Sequence, residues 1–231
     1  MTEIEKNIQT IQKQIPKHVK IMGVTKGQPL EKILAAQKAG LTCFGENYVQ
    51  EFLKKWGALK RDASASPQHD WVFIGHLQTN KVKYIIDKVS EIHSVDSLKL
   101  FGKIESEAQK VGRNMNVLVQ VNVGDEESKF GLHLDVVFGF FKGIDARLQK
   151  HVHIKGLMTI PPYFEDPEKS RPYFRKLKSL KEALNKKFTN LNLTELSMGM
   201  SHDYKIAIEE GATQIRLGTA LFGERSPLSR G

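Results

Sequence analysis

The 231-residue chain has a single cysteine, Cys43, so no disulfide can close within it. Cys43 lies in the apolar stretch Leu41-Thr42-Cys43-Phe44 and reads as a small core residue in a reducing compartment. No apolar run approaches the roughly 20 residues needed to cross a bilayer, and Met1 to Pro16 lack the continuous apolar core of a secretion signal. The expectation is a cytoplasmic protein with no membrane partner. Low-complexity segments are missing, as is any shift in composition that would mark a second domain. A single domain over 1–231 is expected, opened by an amphipathic helix over 1–16. With 40% hydrophobic and 26% charged residues, the composition is that of an ordinary globular protein and excludes extended disorder.

The net charge is +9, from 35 Lys and Arg against 26 Asp and Glu. The basic residues, among them Lys54, Lys55, Lys60, Arg61, Lys81, Lys83, Lys176, Lys178, Lys181, Lys186 and Lys187, are scattered and have no aromatics interleaved. That distribution fits solvated helix faces rather than a nucleic-acid platform. No nucleic-acid partner is expected.

Apolar segments alternate with helical ones along the chain. Ile4, Ile8, Ile11 and Ile15 form the stripe of the opening helix, and Thr2 and Glu5 have capping-box spacing. Strands are predicted over 20–25, 41–45, 70–75, 88–93, 116–123, 152–158, 194–197 and 213–217. Helices are predicted from Leu30 to Ala39, from Ser97 to Val111, with Phe101, Ile104, Ala108 and Val111 on one face, and from Pro167 to Phe188. The polar segment Arg61 to His69, with Pro67, reads as a surface loop. Strands separated by helices imply right-handed crossovers and a parallel sheet, and about eight of them suit a (β/α)8 TIM barrel.

In such a barrel, function sits at the C-terminal ends of the strands. Lys26 follows the first strand, Gly45-Glu46-Asn47 the second, Gly75 to Lys81 the third and Ser94-Val95-Asp96 the fourth. Asn122, Met158-Thr159, Ser197 to Ser201 and Arg216 to Thr219 complete the set. An amine where a buried strand gives way to a loop suits covalent chemistry, because desolvation and nearby cations favour the neutral form that attacks an aldehyde. Taken alone, Lys26 also reads as a surface lysine. Gly218 allows close backbone approach, and Thr219 and Ser201 offer hydroxyls beside helix starts, as a phosphate requires. Ordinary N-capping uses the same residue types. Arg216, on a core strand, needs a fixed partner: either a structural ion pair or a ligand. An arginine beside a phosphate loop and facing a Schiff-base lysine suits the ring nitrogen of pyridoxal phosphate (PLP). As a pure donor it keeps that nitrogen unprotonated and weakens the ring as an electron sink.

Val24-Thr25-Lys26, Phe44 to Glu51, Phe73 to Lys81, Gly156-Leu157-Met158, Leu196 to Ser201 and Ile215 to Gly223 occur in order along nearly the whole chain. In this set the sequence resembles the pyridoxal phosphate homeostasis protein family, which is similar to the barrel domain of alanine racemase and other fold-type III PLP enzymes. The resemblance implies PLP held covalently at Lys26, phosphate contacts from Ser201, Gly218 and Thr219, Arg216 at the pyridine nitrogen, and Asn47 near the ring. His76 falls at a variable position of its motif and reads as a partly exposed loop residue with no catalytic role.

Two functions follow. A racemase needs a base on each face of the substrate carbon. In alanine racemases, the likeness implies, the second base is a tyrosine from an added domain. The chain ends at Gly231, soon after the last predicted strand, and Tyr48, Tyr84, Tyr163, Tyr173 and Tyr204 fall in helices or loops. The expectation is therefore a monomeric, non-catalytic PLP carrier that buffers vitamin B6 or delivers it to apo PLP-dependent enzymes. An amino-acid racemase is the alternative.

Overall fold

The structure, a computed structural model, describes residues 1–61, 69–126, 129–144 and 150–224. Its first helix, α1 (Glu3–Gln14), starts at Thr2, whose hydroxyl accepts from the Glu5 amide at 3.2 Å while Thr2 N–H donates to the Glu5 carboxylate at 2.7 Å. This is the predicted capping box, and each bond satisfies an amide that the helix leaves open. Ile8, Ile11 and Ile15 are buried where α1 packs on α2 (Leu30–Lys38).

The strands are β1 (Lys20–Val24), β2 (Cys43–Glu46), β3 (Asp70–Phe73), β4 (Glu91–Val95), β5 (Met115–Asn122), β6 (Leu132–His133), β7 (Val152–Met158), β8 (Glu195–Met200) and β9 (Gln214–Leu217). All pair in parallel. They run in the order β1-β2-β3-β4-β5-β7-β8-β9, and β9 returns to β1, so eight strands close the barrel; the two-residue β6 lies against the end of β5. The remaining helices are α3 (Val49–Arg61), α4 (Val82–Ile85), α5 (Leu98–Lys110), α6 (Leu134–Gly143), α7 (Arg171–Lys187), α8 (Tyr204–Glu209) and α9 (Thr219–Phe222).

Two apolar layers follow from strand alternation. Outward side chains such as Phe44, Phe73 and Ile92 pack with Phe52, Phe101 and Phe174 of the helices in the main core. Each such ring contributes about 2 to 3 kcal/mol through burial. Inward, Met22, Cys43, Val72 and Ile74 form a separate small plug in the lumen. Beneath the plug, the strand starts carry charge. Lys20 Nζ lies 3.2 Å from Asp70 and 3.5 Å from Glu91, and Glu91 meets His93 Nε2 at 2.7 Å. The plug separates this charged floor from the C-terminal mouth.

Several predicted boundaries move. The fourth strand lies at 91–95, not 88–93, so Ser94 and Val95 belong to the strand rather than the loop. His93 and Ser94 are completely buried polar residues, which hydropathy reads as a strand end. The seventh barrel strand runs on to Met200, and Gly45 and Glu46 likewise lie within β2. Gly199 adopts φ +91 inside β8 and breaks its pairing register with β9, which gives Ser197 to Met200 the composition of a loop. Val111 caps α5 and is exposed, so it does not share the buried face of Phe101, Ile104 and Ala108. Of the predicted loop from Arg61 to His69, Arg61 ends α3, and 62–68 lie outside the described residues. Lys55 is not on a solvated face: it is buried.

Candidate functional site

Lys26 sits two residues beyond β1, in a turn closed by the Gln28 amide donating to the Thr25 carbonyl at 2.8 Å. Thr25 is fully buried, its hydroxyl 3.1 Å from the Gly45 carbonyl and 2.9 Å from Glu46 Oε2, which ties the turn to the end of β2. The Lys26 side chain is half-buried, and its Nζ lies 4.7 Å from the centre of the Tyr48 ring. A cation over a ring face is attracted by the ring quadrupole.

On the other side of β1, the register pairs Met22 with Arg216 of β9. Two residues further on, a Cβ built on Gly218 would face Val24 at 3.9 Å, so the β9 loop adjoins the Lys26 turn. Ser201 reaches the same place from β8. Its Oγ accepts from the amides of Gly218 and Ala220, both at 3.1 Å, bridging the two loops. The short helix expected after Gly218 is α9, and Thr219, its first residue, is exposed at the mouth.

Arg216 is only 3% exposed, yet it forms no ion pair with any described carboxylate. Its Nη1 donates to Ser197 Oγ at 2.8 Å and its Nη2 to the Thr159 carbonyl at 2.7 Å. Burial lowers its pKa to about 10, partly offset by the Asp203 carboxylate, so the group stays a cation at neutral pH. The structural ion pair left open by the sequence is not what holds it. Buried cations are costly, and neutral partners compensate this one only in part.

Asn47 follows β2, and its backbone amide donates to Glu46 Oε1 at 2.8 Å, while its side-chain Oδ1 is buried with no hydrogen-bond partner among the described residues. A buried acceptor without a donor carries a desolvation cost of about 1 to 3 kcal/mol. The same residue lines a cavity of about 420 Å³ together with Tyr48, His76, Lys81, Gln120 and Phe130. His76 is exposed, as expected, stacks on Phe130 at 4.0 Å and lies 3.4 Å from Asp96. Gly75 is required here: a Cβ on it would stand 2.0 Å from the Asn47 carbonyl oxygen.

Lys26, Arg216, Gly218 and Ser201 thus gather around the ends of β8, β9 and β1, with Asn47 on the far side of Lys26. Sequence reasoning missed the ring of Tyr48 under Lys26, the Ser197 and Thr159 partners of Arg216, and the buried Lys55. The Glu51 and Lys55 pair at i,i+4 was the one signal available for Lys55. Among the described residues, no cluster of three or more His, Cys, Asp or Glu is arranged to hold a metal ion. No described helix is long and apolar enough to cross a membrane.

The family model described as alanine racemase, N-terminal domain, matches residues 1–226. A pyridoxal phosphate homeostasis protein from Aquifex aeolicus is 49% identical over 207 residues, covering 89% of this chain and 87% of that one. A protein of the same name from Vibrio alginolyticus is 37% identical, covering 97% and 99%. The structure of PipY from Synechococcus elongatus with PLP bound superposes with a TM-score of 0.87 at 32% identity, over 96% of this chain and all of that one. The chain belongs to the alanine racemase N-terminal domain family, among the pyridoxal phosphate homeostasis proteins.

Proposed function

We propose that the protein is a carrier of pyridoxal phosphate, which it holds through a Schiff base on Lys26 and buffers or passes on without turnover. The observation that carries this reading is Arg216, a buried cation held by neutral groups one strand away from Lys26. The residues present fit the cofactor. The unpartnered Asn47 Oδ1 offers an acceptor, and the glycine at 218 leaves its backbone open beside Val24. In this reading Ser201 and the backbone of Gly218 and Thr219 take the phosphate, Arg216 donates to the ring nitrogen, and Asn47 lies beside the ring. When bound, PLP supplies an electrophilic carbon and an electron-withdrawing ring.

An arginine donor leaves the ring nitrogen unprotonated, which withholds most of that electron-sink capacity. This supports holding the cofactor over using it, as do the names carried by the relatives. Tyr48 presents its ring face to Lys26, so it makes a poor second base. The carrier acts as a cytoplasmic monomer, and its acceptors are apo PLP-dependent enzymes.

The test is the absorbance spectrum of the purified protein with PLP. A band near the visible is expected, which borohydride converts to a covalent adduct on Lys26 and which Lys26→Ala lacks. Lys26-dependent racemisation of alanine or serine would overturn the carrier in favour of the racemase.

A further inference from the structure

Lys26 is fastened on both sides by a single helix. The carbonyl of Thr25, the residue before it, accepts from Lys55 Nζ at 2.5 Å. The amide of Gly27, the residue after it, donates to Glu51 Oε1 at 2.7 Å. Glu51 and Lys55 stand one turn apart on α3 and bond to each other at 2.6 Å. Tyr48, at the head of the same helix, carries the ring against which the Lys26 ammonium rests. The third N–H of the Lys55 ammonium donates to Glu46 Oε2 at 2.7 Å, and that carboxylate also accepts from the Thr25 hydroxyl and the Asn47 amide.

Such an arrangement is more than a loop needs. A Lys55 side chain 9% exposed, beside a Glu46 side chain 1% exposed, is an expensive way to fix a turn. Here the arrangement fixes the peptide groups flanking one lysine and leaves its amine free. We infer that Glu51 is the positioning residue for Lys26: its carboxylate clamps the Gly27 amide, with Lys55 and Glu46 as the base of the clamp, and so aims the Lys26 amine at an incoming aldehyde. The inference rests on the reading of Lys26 as the PLP anchor. Glu51 touches no reacting atom and acts only through the backbone. A loosened turn lowers the fraction of time the amine spends in attacking geometry, and small misplacements of this kind cost about tenfold or more in rate.

The clamp is tested with two conservative variants at a side chain that is 28% exposed. Glu51→Asp keeps the charge but falls one methylene short of the Gly27 amide. Glu51→Gln keeps the reach and an acceptor oxygen but loses the charge. Each apo protein is mixed with PLP, and the rate of borohydride-trapped adduct on Lys26 is measured by mass spectrometry, with melting temperature followed in parallel. The expected result is about a tenfold slower rate for Glu51→Asp, a rate within about twofold of the parent for Glu51→Gln, and nearly equal melting temperatures. Equal rates in all three proteins overturn the inference, as does slowing in Glu51→Gln. A parent protein that yields no adduct on Lys26 sinks the PLP reading instead, so the two failures are distinct.

Discussion

Replacing Arg216 with methionine separates what the site needs from what the fold needs. On folding, burial lowers the guanidinium pKa from its ordinary value to about 10. A base whose pKa falls on folding is a cost wherever it stays protonated, here at any pH below about 10, and the fall is worth about 3 kcal/mol. Against that stand two charge-assisted hydrogen bonds, to Ser197 Oγ and the Thr159 carbonyl, each contributing about 1.5 kcal/mol or more. The terms nearly cancel, and methionine fills similar volume without the charge. Urea unfolding near neutral pH, followed by tryptophan fluorescence, is expected to place Arg216→Met within about 2 kcal/mol of the parent. PLP affinity is expected to fall at least about tenfold, with an altered absorbance band. A stability loss above about 4 kcal/mol would show that Arg216 holds the barrel together, and the argument that it serves a ligand would fail.

Gly75→Ala drives a Cβ to within 2.0 Å of the Asn47 carbonyl, a backbone atom that cannot swing away. A loss of about 3 kcal/mol and weaker PLP binding are expected, and unchanged unfolding would mean the two loops are not in contact. In the charged floor, burial raises the pKa of Glu91, but its hydrogen bond with His93 and the Lys20 ammonium outweigh that and hold it at about 2. The resulting stabilisation, about 3 kcal/mol, is present above the unfolded value of 4.5 and is lost as pH falls from there towards 2. Unfolding midpoints measured between pH 6 and pH 3 should fall steeply in the parent and flatten in Glu91→Gln. Burial pushes the Cys43 thiol up to about 12, so a thiol-specific reagent should label it only after denaturation; rapid labelling of the folded protein would contradict the lumenal packing.

The barrel was legible because its strands are short apolar runs bounded by turn signals, and Lys26, Arg216 and Gly218 stand directly at their ends. What stayed hidden was polar burial. Glu91, His93 and Ser94 point a charged or hydroxyl group into the fold, so β4 read as ending early. The lysines of α3 read as lying on a helix, but its bounds and its buried face were not legible, because Lys55 occupies the same face as Val49, Phe52 and Leu59 and interrupts the apolar stripe. Its partner Glu46 comes from another element, and helical i,i+3 and i,i+4 patterns do not report a partner nine residues away. The site residues were visible one by one; the bonds between Ser201 and the β9 loop, and between α3 and the Lys26 turn, required the structure.

The Ser201 hydroxyl has a consequence for how tightly any anion is held. Its oxygen accepts from both the Gly218 and the Ala220 amides, so neither of these donors stands bare. A phosphate seated here, as proposed, would compete with that hydroxyl for the two amides, and its gain would be the difference between a charged and a neutral acceptor rather than whole bonds. Release would carry the matching benefit, because the hydroxyl is at hand to satisfy both amides and neither would be stranded. A seat of this kind would trade strength of grip for ease of exchange.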